Sequence, residues 1–319
     1  MPNLYNPNDV HIQQALNDLA IKYVNADTIW RDVMPIRQVS KRSDKYYIYD
    51  KATAFQRFDD SLAPNATPNE AQWQISTDNY SVVDHGLASW IPMEAVENAD
   101  DPLDPVGDEV ENLSEALDNQ QEARVAAKVF SAASYPIGNK VTLSGTSQWS
   151  DYSNSDPLTA IEDAADSLTV SPNVLVLGAD TWRVLRRHPK VAARLFPLGG
   201  NASVAGAGAS VVQFQEYLSD FGIERVLVGR RRTNTANIGQ TPTLVRAWGK
   251  HAALLRVTPN PGVKTLTWGA TFVETERNVY QEVDQKRGVK GSLFTKVAWN
   301  SDEKIIASDA GYFFENAVV

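Results

Sequence analysis

Residues 104–130 read DPVGDEVENLSEALDNQQEARVAAKVF, and this stretch decides the fold. Asp104 suits an N-cap, and Pro105 suits the first helical position, where its missing N–H leaves nothing unpaired. Asp108 and Glu109 fall in the first turn, where the helix macrodipole favours negative charge. Arg124 and Lys128 lie toward the end that favours positive charge. Val106, Val110, Leu113 and Leu117 recur at helical spacing, with Val125 and Val129 further along. Nothing breaks the pattern before Pro136 and Gly138, so a helix over 104–133 is predicted. At about 1.5 Å per residue it spans on the order of 45 Å. That length suits a spine along which other elements pack.

Upstream, residues 41–92 read as a long β-hairpin. Tyr46, Ile48 and Phe55 belong to one strand-rich segment. Tyr80, Val82, Val83, Leu87, Trp90 and Ile91 belong to the return. APNATPNEAQ at 63–72 between them is turn-rich and poor in apolar residues. A lone two-stranded hairpin is marginal in water, yet this one carries Trp73 and Trp90. Either both fold back on the parent domain or they dock on a neighbouring subunit. The concentration of aromatic anchors at interfaces favours docking. Residues 1–40 read as an arm. Asn8 or Asp9 can cap a helix over 10–24 with Ile12, Leu16, Leu19 and Tyr23 on one side. Val33, Ile36 and Val39 follow in extended chain around Pro35, which disfavours helix. Such an arm has no core, so Trp30 needs cover from elsewhere.

Downstream, VTLSG at 141–145 is a short strand, followed by a polar loop with Trp149. Asp156-Pro157 repeats the cap-plus-proline device and opens a helix to about 168. VLVLG at 174–178 is a buried strand by its continuous apolar run. Asp180 caps a helix through Trp182 and Leu185 to His188-Pro189. A Gly/Ala-rich loop over 199–209, a helix over 210–220 and a strand over 223–228 complete a mixed α/β unit. After Gly229, segments 243–257, 263–276, 279–284, 291–299 and 303–308 are strand-like. The fold class is therefore α+β.

Charge and chemistry narrow the function. The 319 residues hold no cysteine, which removes disulfides, zinc-thiolate sites and thiol catalysis. No apolar run approaches the roughly 20 residues of a membrane span. The start, MPNLYNPNDV, lacks the basic and apolar regions of a signal peptide. Net charge is −9, so a bare duplex repels the chain. Between Phe58 and Ala123 there are 16 acids and no Lys or Arg. The run reads either as a solvated face or as a surface that must not adhere to polyanions. No G-x-S-x-G, phosphate-loop or H-E-x-x-H pattern occurs. GAGAS at 206–210 reads as a mobile loop. His11, His85, His188 and His251 lack metal spacing and read as structural or exposed. Asp100, Asp101 and Asp104 stand where a helix start favours acids. No catalytic, cofactor or metal residues are assigned. Arg230, Arg231 and Arg232 form the basic cluster, read as a solvated loop or as a contact with acidic surfaces of neighbouring subunits. Nucleic-acid binding ranks third. At least one of the three is expected to pair with Asp or Glu, across a subunit boundary.

The order of arm, long two-stranded loop, spine helix, α/β insertion and closing strands resembles the major capsid proteins of tailed double-stranded DNA phages, the Hong Kong 97 type capsid fold. Four stretches carry the likeness: WRDVMPIRQVSKRSDKYYIYDKATAF at 30–55; QQEARVAAKVF followed by NKVTLSGTSQWSDYSNSDPLTAIEDA; VLVLGADTWRVLRRHPKV at 174–191; and WGATFVETERNVYQEVDQKRGVKGSLFTKVAWN at 268–300. The resemblance implies an N-terminal arm at 1–40 and an extended loop at 41–92. It implies a peripheral domain from 93–156 and 256–319 with the spine helix at 104–133, and an inserted axial domain at 157–255. It implies a structural virion protein, not an enzyme, that assembles with itself as pentamers and hexamers into an icosahedral head. That head encloses double-stranded DNA without sequence-specific binding or a membrane. Partners implied are a separate scaffolding protein, since a long scaffolding region at the start looks absent, a portal, and a decoration protein as a further candidate. Assembly would take place in the bacterial host cytoplasm. Subunit-interface candidates are Trp30, Trp73, Trp90, Arg230, Arg231 and Arg232. Lys45 or Lys51 stands where some members form a Lys–Asn crosslink, but the rest of that pattern is not matched. An encapsulin-like nanocompartment shell, which shares the fold, is the alternative. A carboxylate-using hydrolase is the reading from another class, and no acid–base pair is placed for it.

Overall fold

The structure, a computed structural model, describes residues 25–49, 51, 55–62, 64–65, 67–99, 103–195, 208–237, 239–262 and 265–319. The expected helix over 10–24, most of the loop 199–209, and Asp100 and Asp101 lie outside the described residues. The spine helix runs Pro105–Val129, shorter than predicted. Asp104 caps it, accepting from the amides of Val106 at 3.2 Å and Gly107 at 3.0 Å. Its end falls at Phe130 because the carbonyls of the last turn find other donors. Ser134 Oγ donates to the Lys128 carbonyl at 2.6 Å, and Tyr135 Oη to that of Val129 at 2.8 Å. The 25 residues make about 38 Å, not 45.

Five short pieces flank the helix before the main sheets. They are α1 (Trp30–Val33), β1 (Ile36–Gln38), β2 (Ser43–Tyr49), β3 (Ile75–Ser81) and α2 (Met93–Glu97); the spine is α3. β2 and β3 pair antiparallel from Ser43↔Ser81 to Tyr49↔Ile75 and form the expected hairpin. The return segment then leaves it. β4 (Val83–Pro92) pairs along β13 (Ser292–Ile305) from Val83↔Ser301 to Pro92↔Ser292. β12 (Asn278–Asp284) takes the opposite edge of β13 over 292–298. β11 (Gly269–Val273) pairs with the far end of β13 and, on its other side, with β1. Leu113 and Leu117 of α3, with Val110, pack on Val297 of this sheet.

The second sheet has the order β5 (Lys140–Thr142), β14 (Gly311–Glu315), β10 (Ala252–Leu255), β6 (Val174–Gly178), β7 (Arg225–Gly229), and β8 (Arg232–Asn234) pairs separately with β9 (Leu244–Arg246). The closing segment 256–319 thus supplies strands to both sheets. Between β6 and β7 the chain makes α5 (Ala179–Leu185), α6 (Pro189–Leu195) and α7 (Val211–Ser219); α4 (Pro157–Ser167) precedes β6. Both faces of this sheet are covered, which is why VLVLG is apolar throughout. Leu175, Leu177, Ala252, Leu254 and Phe314 face a core that includes Ile161, Leu185 and Phe214 of the helices. Val174, Val176, Ala253, Leu255 and Phe313 face a second core with Val125 and Val129 of α3 and Trp30, Trp248 and Trp268. The period of two along each strand sorts them. β7 ends in a glycine of necessity: a Cβ on Gly229 would sit 2.1 Å from the Trp248 ring.

Candidate assembly surface

The hairpin of β2 and β3 meets the body through few side chains. Tyr80 stacks on Phe272 at 4.7 Å and Tyr46 on the same ring at 5.7 Å, with Val82 beside them. Beyond that anchor its apolar side chains face water: Tyr47 is 74% exposed, Trp73 61%, and Phe55, Phe58, Leu62 and Ile75 are exposed too. Phe58 and Trp73 lie 6.0 Å apart, ring centre to ring centre, and form a small aromatic knob. Asp59, Asp60 and Glu70 surround it in sequence, with no basic residue between 58 and 74. An apolar cluster this exposed on a two-stranded element is a candidate contact surface. The signal was in the sequence as aromatics set in an acidic, turn-rich segment.

Two of the sequence-derived candidates pack on their own subunit. Trp30 has no exposed surface; it lies 5.7 Å from Trp299 and packs with Val33, Met34 and Val129. Its cover therefore comes from its own chain rather than from a neighbour. Trp90 is half-buried, 4.7 Å from Phe294, with the Arg287 guanidinium 4.1 Å over its ring. It has folded back on the parent domain because β4 joins β13 instead of remaining in the hairpin. Of the three tryptophans Trp73 is the most exposed.

The arginine cluster divides likewise. Arg230 and Arg232 are exposed, while Arg231 is buried. Arg231 Nε donates to Asn119 Oδ1 at 2.5 Å and Nη1 to the Ala26 carbonyl at 2.8 Å; Glu115 Oε1 lies 3.5 Å from Nη2. The expected acidic partner exists, but within the chain and not across a boundary. Arg231→Ala is therefore expected to lower subunit stability, because Glu115 and Asn119 lose their partner. The double variant Arg230→Ala/Arg232→Ala is expected to stay within about 0.5 kcal/mol of the parent. Urea denaturation separates the two; equal losses would contradict the division.

What the sequence reading missed is the polar stripe of α3. Glu115, Asn119 and Glu122 recur at i, i+4, i+7 and hold the arm base. Asn25 donates its amide to Glu115 Oε1 at 3.3 Å and its side chain to Asn119 Oδ1 at 3.0 Å. Glu122 is fully buried and accepts from the amides of Ile29 (3.1 Å) and Trp30 (3.0 Å) and from the Trp248 indole. Burial pushes its pKa up, against those donors and the Arg231 charge, which favour the carboxylate. A neighbouring stripe meets Glu303, which accepts from Gln121 at 2.8 Å and Ser301 at 3.0 Å and pairs with Arg124 at 3.4 Å. Burial opposes its ionisation, yet Arg124, Gln121, Lys128 and Ser301 outweigh it and hold its pKa down.

The pair that most resembles catalytic machinery is Ser155 and His188, with Oγ and Nε2 3.0 Å apart and both residues buried. Its polarity is structural. Ser155 Oγ donates to the Asp151 carbonyl at 2.6 Å, so His188 Nε2–H donates to Ser155. His188 Nδ1 accepts the Lys190 amide at 3.2 Å and caps α6. A base that donates to its hydroxyl partner does not activate it. Burial, and then the Lys190 charge, hold the His188 pKa below its ordinary 6.5. The unfolded chain therefore binds a proton first as pH falls, so stability is full above 6.5 and declines below it. Thermal melts at pH 7 and pH 5 are expected to show that loss, and His188→Gln to reduce it; an unchanged loss would refute the assignment. Among the described residues no group of His, Asp or Glu has the arrangement to hold a metal ion. No helix among them is long and apolar enough to cross a membrane.

The profile of the phage capsid protein family matches residues 76–304. A major capsid protein of Pseudomonas phage JBD67 is 35% identical over 308 residues, which covers 96% of this chain and 97% of that one. Among solved structures, a phage-related protein from Bordetella bronchiseptica RB50 superposes with a TM-score of 0.69 at 22% identity, covering 92% of this chain and 93% of that one. The capsid structure of cyanophage P-SCSP1u gives a TM-score of 0.64 at 14% identity, covering 97% and 93%.

Proposed function

This chain belongs to the phage capsid protein family and is a structural protein of the virion shell, and from that premise we propose that its copies form pentamers and hexamers which tile an icosahedral head around double-stranded DNA. The observation that carries this reading is the hairpin with its exposed aromatic knob, which lacks a core of its own. Docked on a neighbour, each large aromatic there can bury about 150–250 Å². Trp73 and Phe58 are the anchors, and Arg230 and Arg232 meet acidic surfaces of neighbouring copies. The unit around β6 and β7 closes about the capsomer axes, and the sheet of β11 to β13 joins capsomers at their periphery. The role is structural, without a catalytic step. A separate scaffolding protein, a portal and a decoration protein are the partners, and assembly takes place in the host cytoplasm. A chain of net charge −9 holds DNA without adhering to it, its repulsion screened beyond about 10 Å in ordinary salt. The near-full-length likeness to a phage major capsid protein favours a virion over an encapsulin-like compartment.

Gel filtration and negative-stain microscopy of the purified chain test this. Capsomers or closed particles are expected; a monomer at every concentration would overturn it. Trp73→Ala should leave subunit stability within about 0.5 kcal/mol, as exposed substitutions do, yet lower the yield of assembled material. Full assembly of that variant would remove Trp73 from the interface.

A further inference from the structure

The net charge of −9 is unevenly shared along the chain. Residues 157–255 hold eleven Lys and Arg against seven Asp and Glu, so this unit is positive and the rest carries the whole negative excess. From Thr181 to Gln215 there are five Lys and Arg and no acid. The densest part of that run is the end of α5. Helical bonding continues past Leu185, with the Arg186 amide on the Trp182 carbonyl at 3.0 Å and the Arg187 amide on that of Val184 at 3.1 Å. Arg183, Arg186 and Arg187 therefore stand at i, i+3 and i+4 on one face of the last turn, their Cβ atoms about 5–6 Å apart. All three are exposed, while Thr181, Trp182 and Leu185 on the other side are buried. Local carboxylates do not neutralise the face. Asp180 lies 3.6 Å from Arg183 but also 3.1 Å from Arg246, so one carboxylate serves two guanidinium groups. Arg186 and Arg187 have no carboxylate partner among the described residues, and the adjoining residues 196–207 hold no Asp or Glu to supply one. Like charges at this spacing destabilise a helix, and the nearby helix C-terminus offsets only part of that.

We propose, resting on the reading of this chain as a shell protein around DNA, that the face of Arg183, Arg186 and Arg187 binds backbone phosphates of that DNA, weakly in each copy and in every copy. A guanidinium presents paired N–H donors that match the oxygens of a phosphate, so arginine rather than lysine suits the contact. Carboxylates of a neighbouring copy fit less well, because the acid-rich stretch 58–123 uses many of its own within the subunit. Asp78 pairs with Lys304, Asp84 with Arg42, Glu97 with Lys290 and Asp118 with Arg277. A duplex, by contrast, brings one phosphate charge for about each 1.7 Å of its axis. The negative remainder of the chain keeps the contact loose. DNA meets a few guanidinium groups on each copy and is repelled elsewhere, and such backbone contacts read no sequence.

Fluorescence anisotropy of a short labelled duplex, titrated with the full chain at dilution, tests this. Each phosphate contact contributes about 0.9 to the slope of log affinity against log salt. For one copy on the duplex, three contacts weaken binding about 40-fold between about 50 and 200 mM salt, and one contact about 3.5-fold. The parent is expected to show the larger loss and Arg186→Gln/Arg187→Gln the smaller, with weaker binding at low salt; thermal melts of the variant confirm an intact subunit. Lys45→Gln/Lys296→Gln removes the same charge from exposed residues outside this unit and is expected to behave as the parent. Parent-like binding by the arginine variant, or equal losses in both variants, would overturn the inference. Inorganic tripolyphosphate is expected to compete with the duplex better than a glutamate peptide of equal charge; the reverse order would make the partner an acidic protein segment and overturn it too. A chain that forms particles yet binds no duplex at low salt would overturn this inference alone. A chain that never assembles would overturn the shell reading, whatever its affinity for DNA.

Discussion

Leu113→Pro is expected to abolish assembly and most soluble protein. Leu113 is the ninth residue of α3, well inside the helix, and almost fully buried. Proline there removes the N–H that bonds to the carbonyl of Glu109 and drives its ring into that carbonyl, at about 3 kcal/mol or more. It also takes away the Leu113 packing on Val297 and Leu117. Net stabilities of domains are about 5–15 kcal/mol, so the loss is a large share. The break would sit just ahead of the stripe Glu115, Asn119 and Glu122 and tilt it away from the arm. Leu113→Ala is the companion measurement. It keeps the helix and loses only packing, at about 2–5 kcal/mol. Circular dichroism should show helix lost in the proline variant and kept in the alanine one. Particles formed by Leu113→Pro would refute a continuous spine.

Trp30→Ala is expected to cost a comparable amount, about 3–5 kcal/mol for a fully buried large aromatic. The ring lies 5.7 Å from that of Trp299, with the guanidinium of Arg31 5.0 Å over it. Its Nε1 has no hydrogen-bond partner among the described residues, so Trp30→Phe loses volume but no hydrogen bond. Trp248→Phe, by contrast, deprives the buried Glu122 of a donor. Denaturant titration should therefore rank Trp30→Phe as milder than Trp248→Phe, with Trp30→Ala worse than Trp30→Phe. If Trp30→Ala left the isolated subunit unchanged and harmed only assembly, the ring would belong to an interface after all.

These two residues show how far a sequence can be read. The start of α3 was legible because Asp104 and Pro105 act within one turn, and VLVLG because a run of apolar side chains states its own burial. The end of α3 was misplaced by four residues, since Ser134 and Tyr135 reach back to it through side chains that carry no helix signal. Trp90 was read into the hairpin because its true partner, Phe294, lies some 200 positions further on. Trp30 and Arg231 read as reaching for a neighbouring subunit for the same reason. An arm and an arginine run are polar or coreless locally, and only the tertiary fold brings α3 over them. Glu115, Asn119 and Glu122 passed as a solvated face, because polar residues at helical spacing look alike whether water or backbone amides satisfy them.

The strand Gly311–Glu315 has a consequence for synthesis on the ribosome. It lies between β5 and β10, and its neighbours Phe313 and Phe314 point into opposite cores. Its partner β5 at 140–142 has waited through some 170 residues of translation. Until this strand has left the exit tunnel, the sheet has a gap and both cores lack an aromatic. Pairings this distant in sequence are slow to form and leave strand edges bare meanwhile. A nascent chain is thus kept from the finished subunit shape until residues 311–315 have been made and paired.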